Sequence, residues 1–163
     1  MFVIREATVE DALRVSEIYN YYVLKTSISF ETEAVCPEDM AKRIDGITSG
    51  GYPYYVYEID GVVAGYCYLG SWKGRRAYSA TAELSIYVDH EKTCNGIGGR
   101  LMKHLLDNTD RVRFHTVIAC ISLPNELSVT LHEKFGFNKI SHFREVGFKF
   151  GGWLDVGHWQ LIL

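Results

Sequence analysis

At 163 residues the chain has the length of one ordinary domain, and 47% hydrophobic with 23% charged residues marks it as globular rather than disordered. A formal net charge of -3 without a long basic run excludes a nucleic-acid backbone as the expected partner, and no apolar stretch approaches the roughly 20 residues of a membrane span. Cys36, Cys67, Cys94 and Cys120 are scattered and never form Cys-x-x-Cys, so neither a metal site nor a disulfide framework is expected, and a reduced cytoplasm is.

Phe2 to Arg5 reads as a short strand. Thr8 with Asp11 resembles a capping box and opens a helix to about Tyr22, in which Leu13, Ile18 and Tyr22 are expected to face a core. Lys25 to Val35 shows no period. Pro37, Glu38 and Asp39 suit the first turn of a second helix, which should stop near Gly50-Gly51. Tyr54 to Ile59 and Val62 to Leu69 flank Asp60-Gly61, a hairpin signal. Thr81 to Val88 alternates strictly, with Ala82, Leu84, Ile86 and Val88 on one face and Thr81, Glu83, Ser85 and Tyr87 on the other. Gly96-Ile-Gly-Gly99 leads into a helix with an Ile97, Leu101, Leu105 stripe. Val117 to Ile121 is a short strand. Leu127, Leu131 and Phe135 mark another helix, closed by a left-handed Gly136. Phe143 to Phe150 and Val156 to Leu163 pair around Gly151-Gly152. One mixed α/β domain over residues 1–163 accounts for the chain.

Three places invite chemistry. The turn Gly96, Ile97, Gly98, Gly99 sits between a strand and a helix, where close backbone approach and unpaired amides favour an anion such as a pyrophosphate. A plain strand-to-helix turn is the alternative. The Gly-Lys-Ser/Thr ending of a nucleotide-binding P-loop is absent, and a Rossmann fingerprint would follow the first strand. Glu83 stands mid-strand among apolar neighbours, where glutamate is disfavoured; it is either a residue on a solvated face or a desolvated general base. Asn125, followed by Ser128 and His132, is placed to cap the next helix and also to meet a polar ligand.

A strand, a Gly-x-Gly turn and helix, a further strand, then Asn and a helix ending in Gly-Phe resemble the core of the GNAT superfamily of N-acetyltransferases. The similarity extends to its phosphinothricin and methionine sulfoximine acetyltransferase branch through Ile4 to Thr8, Asn20 to Tyr22, Phe30 to Glu33, Trp72 to Arg75, Ala77-Tyr78, Glu83 to Val88, Leu123 to Asn125, Leu131 to Glu133 and Gly151 to Gln160. Those segments span nearly the whole chain in order.

The resemblance implies a mixed, mostly antiparallel sheet, splayed at the acetyl-CoA site and flanked by helices. It implies acetyl transfer from acetyl-CoA to the amine of a small amino-acid-like molecule such as phosphinothricin, methionine sulfoximine or methionine sulfone. Glu83 would be the base, and His132 falls where many relatives have a tyrosine acid. Ile86, Tyr87 and Val88 would line the pantetheine arm; Gly96, Ile97, Gly98, Gly99, Arg100 and Leu101 would hold the pyrophosphate, with Asn125 and Ser128 also at the coenzyme. Phe30, Arg75 and Tyr78 would build the acceptor pocket, with Arg75 as counter-charge to an acidic group. A homodimer is implied as well. Thr93-Cys94-Asn95 stands where the family usually carries Gln or Arg, leaving the anion to backbone amides with Arg100 or Lys92. Other acceptors, among them a polyamine or a protein N-terminus, and a non-catalytic acetyl-CoA-binding module are the alternatives.

Overall fold

The first strand, β1 (Phe2–Glu6), ends in a turn that Thr8 and Asp11 close as the expected capping box, Thr8 N donating to Asp11 Oδ2 at 2.9 Å. Asp11 also accepts both arms of the Arg5 guanidinium, at 2.8 and 2.9 Å, which ties the end of β1 to the start of the helix that follows. The computed structural model describes all 163 residues.

That helix, α1 (Ala12–Lys25), buries Ala12, Val15, Ile18, Tyr19 and Tyr22, but Leu13 is 59% exposed. The expected Leu13, Ile18, Tyr22 stripe is therefore corrected at its first member. Leu13 lies five residues before Ile18, about 140° away around a helix of 3.6 residues per turn, and Val15 takes its place. α2 (Pro37–Ser49) begins on proline, carries Glu38 and Asp39 in its first turn and stops at Gly50. β2 (Tyr54–Ile59) and β3 (Val62–Ser71) form the hairpin, and its turn residues Asp60 and Gly61 have φ of 48° and 85°, the left-handed pair that a two-residue turn requires. β4 (Thr81–Val88), α3 (Ile97–Asp107), β5 (Thr116–Leu123), α4 (Glu126–Lys134), β6 (Asn138–Lys149) and β7 (Gly152–Ile162) complete the chain.

The seven strands form one sheet of order β1-β2-β3-β4-β5-β7-β6. β4 runs parallel to β5, while β1 with β2, β2 with β3, β5 with β7 and β6 with β7 are antiparallel. This is the mixed, mostly antiparallel sheet expected. By packing, the residues fall into two compact units, one of Met1–Tyr21, Ala34–Gly70 and Ser85–Thr109, the other of Tyr22–Glu33, Ser71–Leu84 and Asp110–Leu163.

In the first unit the α3 stripe is as expected: Ile97, Leu101 and Leu105 are buried, together with Met102 and Leu106. A Cβ on Gly65 of β3 would stand 3.1 Å from the Tyr87 carbonyl oxygen, 3.2 Å from Ile97 and 3.3 Å from Leu101, so any side chain there would crowd both that backbone and α3.

The second unit is built on β5, which pairs with β7 from Thr116 to Leu123. Phe114, Val117, Ala119, Ile121, Phe137 and Trp159 are its core, and Trp159 donates from its indole nitrogen to Glu133 Oε1 at 3.0 Å. α4 forms where Leu127, Leu131 and Phe135 mark a helix, but its buried face is not theirs. Leu127 is 70% exposed, Leu131 and Phe135 are half-buried, and the helix turns His132 inward instead. The left-handed residue after it is Gly136, with φ of 88°.

Candidate active site

The β4–β5 ladder joins Thr81–Leu84 to Thr116–Ala119, pairing Glu83 with Ile118. Ala82 and Leu84 are buried on one face, and Glu83 on the other is half-buried, with no hydrogen bond or ion pair to satisfy its carboxylate. Burial alone pushes that carboxyl above its ordinary value. Two residues beyond Ile118, strand alternation turns Cys120 to the side of Glu83. Solvent reaches Cys120, yet its surroundings and the Glu83 charge push the thiol up to about 11. In the sequence Cys120 is one of four scattered cysteines; the parallel register of the two strands is what locates it beside Glu83.

At the start of α4, Asn125 is the N-cap, and its side-chain oxygen accepts Ser128 N at 3.2 Å. One turn later His132 Nδ1 lies 2.7 Å from the Ser128 carbonyl and 3.4 Å from its hydroxyl. A carbonyl only accepts, so the Nδ1 nitrogen carries the proton and Nε2 is an acceptor. His132 is 2% exposed, its ring meets Phe137 edge-on, and Nε2 has no partner. Burial pulls its pKa down, only partly offset by the Ser128 bond, which keeps the ring neutral. Asn125, Ser128 and His132 are thus brought together, but no hydrogen bond joins them to Glu83.

Arg75 opens the short turn Arg76–Tyr78, with Tyr78 N donating to Arg75 O at 2.9 Å. Lys73 lies 5.5 Å from the Trp72 ring and 5.6 Å from the Tyr78 ring. Trp72 in turn meets His158 edge-on, fixing the loop to β7. Lys73, Arg75 and Arg76 are exposed and none forms an ion pair, so this loop holds three uncompensated cations. Phe30 is exposed and lies against Gly147 of β6, where a Cβ would come 2.3 Å from its ring.

Ile86, Tyr87, Val88 and the Gly96–Leu101 turn belong to the first unit. Ile86 to Val88 are half-buried at the end of β4. Asp89, buried just after, receives Arg14 and accepts Glu91 N, which orders the exit toward α3. Gly96 caps α3 at φ 75° with open space where a Cβ would be, so the backbone angle is what requires glycine. It offers no side chain to the first-turn amides of Ile97, Gly98 and Gly99, and such amides bind anions. Arg100 is engaged elsewhere, donating to Tyr57 O–H at 2.7 Å with its guanidinium 4.7 Å from the Phe2 ring. The same unit contains a cavity of about 330 Å³ walled by Tyr19, Tyr54, Tyr66 and Tyr68, and no residue singled out from the sequence lines it.

A model of the acetyltransferase (GNAT) domain matches residues 4–158. A phosphinothricin N-acetyltransferase of Streptomyces viridochromogenes is 41% identical over 157 residues, covering 96% of this chain and 85% of that protein. An L-methionine sulfoximine/L-methionine sulfone acetyltransferase of Salmonella typhimurium is 34% identical over 160 residues, covering 98% and 94%. The solved structure of a GNAT superfamily phosphinothricin acetyltransferase from Sinorhizobium meliloti, in complex with acetyl-CoA, superposes with a TM-score of 0.95 at 34% identity, covering 99% of this chain and 88% of the other.

Proposed function

The chain belongs to the GNAT acetyltransferases, and from that premise we propose that it acetylates the amine of a small amino-acid-like molecule bearing an acidic or strongly polar head group. The observation that carries this reading is the loop with Lys73, Arg75 and Arg76, three cations without an ion-pair partner. A carboxylate or phosphinate matches the guanidinium of Arg75, whereas a polyamine would be repelled by the loop. The names of the Streptomyces and Salmonella relatives point to acceptors of the same kind.

Acetyl-CoA, the co-substrate, supplies an activated acetyl thioester. The first-turn amides Ile97 to Gly99 suit its pyrophosphate, and the end of β4 from Ile86 to Val88 is assigned to the pantetheine arm. Asn125 and Ser128 complete the coenzyme side, and Arg75, Tyr78 and Phe30 hold the acceptor. Glu83, desolvated and unpaired, removes the proton that keeps an acceptor amine as unreactive ammonium. His132 is the second proton-handling group; with its proton on Nδ1, Nε2 takes a proton before it can give one. Transfer is direct, since a thiol held near 11 leaves Cys120 unsuited to a covalent intermediate.

The chain acts as one catalytic domain in this reading, and as a homodimer. β6 is an edge of the sheet, and Ile140, Phe143, Val146, Phe148, Phe150 and Trp153 of the β6–β7 hairpin are exposed, an apolar surface that a second copy would cover. No helix is long and apolar enough to cross a membrane, and four free cysteines fit a reduced cytoplasm. The test is an acetylation screen with acid-bearing amino-acid analogues, simple amines, polyamines and peptide N-termini. Turnover concentrated on the acid-bearing amines is expected; preference for a polyamine or a peptide would overturn the acceptor reading.

A further inference from the structure

Between α1 and α2 the chain forms no helix or strand, yet Ser29 is buried. Three contacts within the second unit hold this segment in place. Lys149, at the end of β6 and 7% exposed, donates from Nζ to the Ser29 carbonyl at 2.6 Å. Ser122 of β5 donates from its hydroxyl to the Ile28 carbonyl at 3.4 Å. The Phe30 ring rests on Gly147, so closely that a Cβ there would lie 2.3 Å from Cε2 and 2.6 Å from Cζ.

Both β6 residues are unusual for their positions. Gly147 does not have a left-handed φ, so its backbone would accept alanine, and the Phe30 ring is what excludes a side chain. Lys149 has no carboxylate within ion-pair distance; besides the Ser29 carbonyl its ammonium has only the Phe150 ring, 5.1 Å away. Burying an ammonium against one neutral acceptor is costly, and burial lowers its pKa accordingly. Just before these residues the β6–β7 pairing shifts between Phe143 and Gly147, and Glu145 takes φ of 52°. Asp155 of β7 staples this bulge, accepting Glu145 N at 2.9 Å and lying 2.6 Å from His142 Nε2. A bulge re-aims the strand that follows it, here the stretch carrying Gly147 and Lys149.

We propose that Gly147 and Lys149 are positioning residues for the acceptor: together they fix the Ile28–Phe30 segment, so that β6 sets where the Phe30 ring stands and thereby which acceptor side chains fit. This rests on the assignment of Phe30 to the acceptor pocket. Neither residue needs to touch the acceptor or the coenzyme.

The test combines steady-state kinetics with amide hydrogen exchange of the ligand-free protein. Gly147→Ala should raise the acceptor KM about 10-fold, the scale for one misplaced apolar contact in a specificity pocket, with kcat and the acetyl-CoA KM within about twofold of the parent. Phe30→Leu in the Gly147→Ala background removes the clash, and its acceptor KM should return to that of Phe30→Leu alone. Lys149→Met should speed exchange at Ile28 to Phe30 while the β5 and β7 amides keep their rates. An unmoved acceptor KM in Gly147→Ala, a double variant whose acceptor KM stays well above that of Phe30→Leu alone, or parental exchange in Lys149→Met would each overturn the proposal. The exchange arm needs no acceptor, so it stands apart from failure of the acceptor class; if another amine proves to be the substrate, the KM arm is read with that amine.

Discussion

Cys120 on β5 stands within electrostatic reach of Glu83 on β4: burial first, and the Glu83 carboxylate after it, push the Cys120 thiol up to about 11. The two residues lie on different strands, but the parallel pairing of Glu83 with Ile118 sets them on one side of the ladder. This gives Glu83 a reporter that is independent of turnover. Glu83→Gln removes the charge and should lower the Cys120 pKa, so that alkylation by iodoacetamide at pH 9, followed by mass spectrometry of the Cys120 peptide, becomes faster. Cys36 and Cys94, also exposed, are internal controls. An unchanged Cys120 rate would mean that the two groups do not interact.

The raised Glu83 carboxyl also has a stability sign. A group whose folded-state pKa lies above its unfolded value favours the fold fully below the unfolded value and loses that contribution as pH rises through the folded one. At neutral pH the ionised, unpaired Glu83 therefore opposes folding. Glu83→Gln should melt higher than the parent at pH 7, with the difference vanishing toward pH 4. A lower melting temperature at pH 7 would show that the carboxylate has a stabilising partner.

His132 has the opposite sign. Its pKa is depressed by burial, so its contribution is present above the ordinary histidine value and is lost as pH falls below it. An unpartnered buried nitrogen costs about 1–3 kcal/mol, and His132→Phe should therefore fold at least as stably as the parent and lose part of the acid-side decline in melting temperature. Turnover should nevertheless fall about 10²-fold, the lower end of what a proton-transfer group contributes. A fully active His132→Phe would assign the ring to packing against Phe137 alone.

Arg75→Ala should weaken the acid-bearing acceptor by about 1.5–3 kcal/mol, the range for a charge-assisted hydrogen bond, and leave acetyl-CoA affinity intact. Because Lys73 and Arg76 add to the field, the acceptor KM should rise with ionic strength. Parallel loss of both affinities in the variant would place Arg75 in the coenzyme site or in the fold.

Much of this was legible in the residues. Strict alternation gave β4, the Asp60-Gly61 pair gave its hairpin, and the Gly96 turn with its apolar stripe gave α3, because each is a local signal with one dominant cause. The helix faces were less legible. In α4, Leu127 follows the expected period but is exposed, because this short helix buries His132 over Phe137, and the polarity of a histidine conceals that choice from a hydrophobic pattern. Arg100 looked available to an anion, but Tyr57 and Phe2, distant in sequence, hold it. Lys149 could not be read at all: its burial depends on a carbonyl 120 positions away in the chain.

Whether Glu83 acts as the base in acetyl transfer is decided by kcat/KM for an acid-bearing amino-acid acceptor, measured for the parent and Glu83→Gln from pH 6 to pH 10. Glutamine keeps the size and hydrogen-bonding capacity of the side chain and removes the basic oxygen. With Glu83 as the base, Glu83→Gln should lose about 10²–10⁴-fold at pH 7, shrinking as alkaline solution supplies neutral amine, with acetyl-CoA binding unchanged. Equal rates at pH 7 would contradict it and return Glu83 to the reading of a polar residue on a strand face.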